Sequence, residues 1–107
     1  MIGKSVKVIV DRPLGSRHHS HEHIVYPVNY GFVSGILAPD GEEQDAYILG
    51  GSRPLDEFTG VVIAVIHRKN DVEDKWVVAK EGESYSKDEI LRAVHFQEQY
   101  FDIELEL

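Results

Sequence analysis

Residues 60–79 read Gly60-Val61-Val62-Ile63-Ala64-Val65-Ile66-His67, then Arg68-Lys69-Asn70-Asp71-Val72-Glu73-Asp74, then Lys75-Trp76-Val77-Val78-Ala79. Two short runs rich in Val and Ile, separated by charged residues, predict a β-hairpin with an acidic tip. Upstream, Ser5-Val6-Lys7-Val8-Ile9-Val10 reads as a β-branched strand that stops at Asp11-Arg12-Pro13, because proline cannot donate to a ladder. Tyr26 to Val33 mixes Pro, Gly and aromatics as a strand with a bend; Gly35 and Pro39-Asp40-Gly41 then supply turn chemistry, and Asp45 to Gly50 is a short buried strand. Downstream, Ser86 and Glu89 form a capping box that opens a helix running to about Gln99, with Ile90, Ala93, Val94 and Gln97 on one face. After it, Phe101 to Leu107 alternates, apolar on the odd numbers, as a half-buried strand does. Six or so strands joined by short turns, with one C-terminal helix, predict an α+β domain around a small antiparallel barrel or strongly curved sheet.

The composition narrows the function. At 107 residues the chain is one domain, and its 42% hydrophobic content supplies a core. It has no Cys, which removes disulfides, thiolate metal sites and cysteine nucleophiles and fits a reducing compartment. A net charge of -8 argues against nucleic acid, whose phosphates are bound by clustered Lys and Arg. The longest apolar run, Val61 to Ile66, is far shorter than the roughly 20 residues that span a bilayer, and no signal-type apolar region opens the chain. The expectation is a cytoplasmic protein without a membrane or nucleic-acid partner.

Two acidic clusters carry the candidate chemistry. In Pro39-Asp40-Gly41-Glu42-Glu43-Gln44-Asp45, Asp45 enters an apolar strand, where a carboxylate needs a partner. Asp40 and Asp45 flank a Gly turn and suit a hard divalent ion, since Mg²⁺ takes one or two carboxylates plus water and phosphate oxygens. By spacing alone, the plainer reading is an acidic surface turn. The second cluster, Asn70 to Asp74, lies at the hairpin tip, where charge is ordinarily just solvated. Lys75 changes that: two residues from Glu73 along the strand, it points the same way and can meet an anion held by metals.

The loop Leu14 to His23 holds four of the six His. It shows neither helical nor strand period, so nothing fixes the rings as zinc ligands and an exposed polar loop is the plainer reading. Imidazoles partly charged near pH 6.5 would still suit a nearby polyanion. Tyr26, Tyr30 and Tyr100 read first as core or edge aromatics.

The ordered set Tyr26-Pro27-Val28-Asn29-Tyr30-Gly31, then Ala38-Pro39-Asp40-Gly41-Glu42-Glu43-Gln44-Asp45, resembles the soluble, Mg²⁺-dependent family I inorganic pyrophosphatases. The likeness continues through Asp71, Glu73 or Asp74, and Lys75, and into a helix ending His95-Phe96-Gln97-Glu98-Gln99-Tyr100. It implies a five-stranded OB-like barrel with a helix against it, hydrolysis of pyrophosphate to two phosphates, several Mg²⁺ ions and a homo-oligomer. By the same likeness the metal acids fall on Asp40 and Asp45, with Asp71 and Glu73 or Asp74 holding further ions. Glu42 falls on the base for the attacking water, and Lys75, Tyr30 and Tyr100 fall on phosphate contacts. The chain departs from the family pattern in places. Glu42 stands where Asp is usual, Gln44 where an apolar residue is usual, and Phe101 where a Lys commonly follows the Tyr. The N-terminal part is shortened, and Asp11-Arg12-Pro13 fits either of two family segments, leaving Arg12 or Arg17 as the surviving guanidinium. The His loop would then replace lost Lys contacts. A metal- or phosphate-binding relative without turnover, and a hydrolase of another phosphoanhydride, are the alternatives.

Overall fold

The computed structural model describes residues 2–70 and 73–107. Six strands, β1 (Ser5–Arg12), β2 (Asn29–Leu37), β3 (Glu43–Ile48), β4 (Glu57–Arg68), β5 (Asp74–Ala79) and β6 (Ile103–Glu106), surround one helix, α1 (Lys87–Glu98), placed between β5 and β6 in the chain. The sheet order is β1-β2-β3-β5-β4-β6, and a further β1–β4 pairing closes the first five strands into a barrel, leaving β6 as an appended edge on β4. The hairpin expected over 60–79 is β4–β5, antiparallel from Val61↔Ala79 to His67↔Asp74. The β3–β5 pair is parallel, which the expectation of an antiparallel barrel did not include.

Alternation along the strands divides the apolar residues between two compartments. Val8, Val33, Ala46, Ile48, Trp76 and Val78 fill the barrel. Tyr30, Tyr47, Ala64, Ile66, Val77, Ile90 and Val94 pack between barrel wall and helix. β4 changes parity midway: Val62 and Val65 face the barrel, whereas Ala64 and Ile66 face the helix. The register shift between Val62 and Ala64 is the bulge that makes this possible, since one extra residue moves every later side chain to the other face. The same bulge lets β4 pair with β1 at its start and β6 at its end.

The capping box is present: the Ser86 hydroxyl accepts from Glu89 N–H at 3.1 Å, and Glu89 accepts from Ser86 N–H at 2.8 Å. At Gly31 in β2, a Cβ would overlap the Ile9 carbonyl of β1, so only glycine allows the two strands this approach. Asn29 is buried and staples two loops, accepting from Leu14 and Leu55 N–H at 2.9 and 3.0 Å and donating to Arg53 O at 3.0 Å.

The edge strand β6 is fastened by His67, whose Nε2 lies 2.8 Å from Glu106 and Nδ1 3.1 Å from Asp74. The Glu106 hydrogen bond raises the His67 pKa against the effect of burial, and the Asp74 charge adds to it. A raised folded-state value means the contribution is fully present below the unfolded imidazole pKa of about 6.5 and is lost as pH rises through the folded value. Urea unfolding should therefore show wild type ahead of His67→Gln by a few tenths to about 1 kcal/mol at pH 5.5, the scale of exposed ion pairs. The gap should narrow at pH 8.5; an equal gap at both pH values would show that charge on His67 plays no part.

Candidate functional site

The site grows from the helix-facing side of three adjacent strands. Tyr30 pairs with Tyr47 and Phe32 with Asp45 between β2 and β3, and Ala46 pairs with Trp76 between β3 and β5. Side chains two apart share a face, so Asp45 lies on the face of Tyr47 and Lys75 on that of Val77. Asp45 and Lys75 are thereby brought side by side at one end of the barrel wall. Lys75 is only 4% exposed, and its Nζ donates to Asp45 Oδ2 at 2.6 Å and to Glu73 Oε2 at 2.9 Å. The convergence expected of two distant turns is real: Asp40, Glu42, Asp45, Glu73 and Asp74 line one groove of about 320 Å³, with Lys75 in its wall. Asp71 lies outside the described residues.

Gln44 shows why a polar residue replaces an apolar one beside Asp45. It is buried, and its Nε2 donates to Asp45 O at 3.0 Å and Asp74 O at 2.8 Å, tying the two acidic segments together. Asp40 is more peripheral, exposed in its turn, with Oδ1 accepting from Glu42 N–H at 3.0 Å.

A second, larger pocket of about 800 Å³ lies across the same wall, and Asp11, Asp45 and Lys75 border both. Its lining is cationic and aromatic: Arg12, Arg68, Tyr26, Tyr30, Tyr100 and the His loop. Tyr30 is buried, and its hydroxyl pKa is pushed well above the ordinary tyrosine value, first by that burial and then by the Asp45 carboxylate, so it stays a hydrogen-bond donor. Asp11 has its pKa raised mainly by burial, with Arg12 opposing and Asp45 adding. Tyr26 and Tyr30 are core aromatics with one edge in the pocket, whereas Tyr100 is 59% exposed and packs in no core. It follows the helix in a turn, which turns its ring outward to the pocket rim. Of the two candidate guanidiniums, Arg12 lines the pocket, while Arg17 donates to Glu22 O at 2.9 Å within the loop.

The strongest cation was not foreseen. Arg68, the last residue of β4, has a nearly covered side chain and lies under the Phe101 ring, 3.7 Å from its centroid. Glu98, 2% exposed, grips it with two bonds, Nε to Oε1 at 2.9 Å and NH2 to Oε2 at 2.6 Å. Burial works against the Arg68 charge, but Glu98 outweighs it and holds the guanidinium ionised. Tyr47 donates to Glu98 at 2.6 Å, Gln97 Nε2 donates to Tyr47 at 2.8 Å, and Tyr26 donates to Gln97 at 3.2 Å. The end of α1 thus sets both the floor of the pocket and the orientation of Arg68. Phe101, where the resemblance would put a cation, covers one instead. The one sequence signal was an Arg closing an apolar strand.

No family model matches the chain, and no curated sequence matches it. Solved structures do. The inorganic pyrophosphatase of Ehrlichia chaffeensis superposes with a TM-score of 0.73 at 17% identity, covering 99% of this chain and 87% of that one. That of Neisseria gonorrhoeae gives 0.68 at 21% identity over 92% and 74%. That of Thermus thermophilus gives 0.62 at 14% identity over 100% and 85%. The fold is that of the inorganic pyrophosphatases.

On this pyrophosphatase-like barrel the acids face one groove and the cations the pocket beside it. Among the described residues, no three His, Asp or Glu side chains gather as a metal-holding group. The carboxylates are instead strung along the groove, and the Lys75 ammonium takes the gap between Asp45 and Glu73. Among the described residues no helix is long and apolar enough to cross a membrane.

Proposed function

We propose that the chain is a divalent-metal-dependent hydrolase that splits inorganic pyrophosphate into two phosphates, working as a single cytoplasmic domain that self-associates. The observation that carries this reading is the shared wall: Asp45 and Lys75 border both a carboxylate-rich groove and a pocket lined by Arg12, Arg68 and imidazoles. A phosphoanhydride site needs both signs of charge, cations for the phosphoryl oxygens and carboxylates for metal ions and water.

The donor atoms, though strung along the groove and not gathered, suit the metal by their chemistry. Every side-chain group offered by Asp40, Asp45, Glu73 and Asp74 is a hard oxygen, the preference of Mg²⁺ over softer ions. These four residues, with Asp71 by the family resemblance, would hold the ions, which when bound neutralise phosphoryl oxygens and make water more acidic. Glu42, on the exposed turn of the groove, accepts the proton of the attacking water. Lys75 and Tyr30 donate to phosphate oxygens from the floor, Arg12 and Tyr100 from the rim, and Arg68 supplies the buried positive charge beneath them.

The rival reading, a binding module without turnover, draws on one observation: Lys75 already neutralises Asp45 and Glu73, so an ion there competes with an internal ammonium. Two variants divide the roles. Asp45→Asn should lower Mg²⁺ affinity and turnover together, each by at least about tenfold. Glu42→Gln should lower turnover about 10²–10⁴-fold, the usual worth of a general base, with Mg²⁺ affinity nearly unchanged. Metal titration beside phosphate release reads both; small, equal effects of the two substitutions would count against these roles.

A further inference from the structure

The pocket is larger than pyrophosphate needs. At water's share of about 30 Å³ per heavy atom, a diphosphate of nine heavy atoms fills roughly 270 Å³. The pocket holds about 800 Å³. With two phosphates against Lys75, Arg68 and Tyr30 and reached by Arg12 from the rim, the imidazoles of the His loop remain as further lining of the same pocket.

That loop is a built hairpin. Arg17 and Val25 form a β-bridge, Gly15 N–H donates to Tyr26 O at 2.7 Å, Tyr26 N–H to Ser16 O at 2.9 Å, and His18 N–H to Ile24 O at 2.8 Å. The rings cluster, His18 with His19 at 4.8 Å and with His21 at 5.1 Å, and His21 with His23 at 5.9 Å between centroids. Hydrogen bonds also choose the tautomers. His18 Nδ1 accepts backbone N–H groups of Ser20 and His21 at 3.1 and 3.2 Å, so its own hydrogen sits on Nε2. Arginine only donates, so the contact of 3.1 Å from Arg12 NH2 to His19 Nδ1 fixes the same tautomer there. Both rings are left with Nε2–H, a donor, beside a permanent guanidinium charge. Such a wall suits anionic oxygen.

We propose that the His hairpin forms a subsite for a third phosphate, with Arg12 at its boundary with the second, so that the pocket takes a condensed chain of three: two at the Lys75 end and one against the imidazoles. The claim rests on the phosphoanhydride reading above and adds chain length to it. Inorganic tripolyphosphate and the triphosphate end of a nucleotide share this chemistry.

Calorimetric titration with Mg²⁺ tests it, using analogues whose bridging oxygens are methylene groups so that nothing is cleaved: a diphosphonate, its three-phosphorus counterpart, and the matching adenosine triphosphate analogue. Wild type should bind a three-phosphorus chain at least tenfold more tightly than the diphosphonate, and the arm that shows the gain names the source. His19→Ala/His21→Ala/His23→Ala, which keeps His18 because its Nδ1 anchors the hairpin, should lose most of that gain and keep its diphosphonate affinity. Equal affinities in wild type would overturn the subsite and leave the pyrophosphatase reading standing, and so would a gain undiminished by the triple substitution. Loss of diphosphonate affinity in the triple variant would overturn the separation of the subsites. If wild type bound none of the three, both readings would fall.

Discussion

Lys75→Met should lower phosphate release from pyrophosphate about 10²–10³-fold, the scale of removing one donor aimed at charge that develops in the transition state. The Lys75 ammonium is held within 2.9 Å of both Asp45 and Glu73, so it is fixed before any substrate arrives. Methionine keeps the packing of the stem and removes the ammonium, with its charge and its two hydrogen bonds. Asp45 and Glu73 are each about a third exposed, so water screens their mutual repulsion and the stability loss should be about 1 kcal/mol. Mg²⁺ affinity should hold or rise, because a competing cation leaves the groove. A rate loss matched by an equal loss of folded protein would make Lys75 a structural residue instead.

The largest effect on stability belongs to Glu98. Its carboxylate is the bidentate partner of a guanidinium whose side chain is 5% exposed, and it also accepts from Tyr47. Glu98→Leu removes the bidentate partner and leaves the guanidinium the looser Glu73 carboxylate at 3.8 Å, so it should destabilise by about 3 kcal/mol, the lower end of the cost of halving a buried pair. At roughly 4–8 °C per kcal/mol for domains near 100 residues, Tm should fall by about 12 °C or more. Arg68→Met/Glu98→Leu removes both charges and should recover most of the loss, since a buried pair replaced by apolar residues of similar size is often neutral. Thermal unfolding of wild type, single and double variants reads this; a single-variant loss under about 1 kcal/mol would mean that Glu73 or water takes over the Arg68 charge.

How much of this was legible depends on whether the cause was local. The helix was readable because Ser86 and Glu89 act across three residues, and the β4–β5 hairpin because its two apolar runs are adjacent in the chain. The β3–β5 parallel pairing was not, because nothing in Asp45 to Leu49 or Lys75 to Ala79 states which way a non-sequential neighbour runs. Neither was the bulge at Val62/Ala64, which costs only one unpaired residue inside an unbroken apolar run. Asp40, Asp45, Glu73 and Lys75 are grouped by the family resemblance; spacing alone leaves two solvated acidic turns, because what joins them is a parallel pairing of strands distant in the chain. Arg68 and Glu98 could not, since they lie 30 residues apart and each looks solvated in its own segment. The His loop lacked a period because a bridge and backbone hydrogen bonds order it, not an alternation of apolar side chains.

Phosphate release from pyrophosphate by the wild-type protein, with Mg²⁺ and again with excess chelator, tests most directly whether the acid groove and the cationic pocket are halves of one site. Many turnovers per chain are expected with Mg²⁺ and none with chelator. Stoichiometric binding of Mg²⁺ and pyrophosphate with no phosphate released would contradict it.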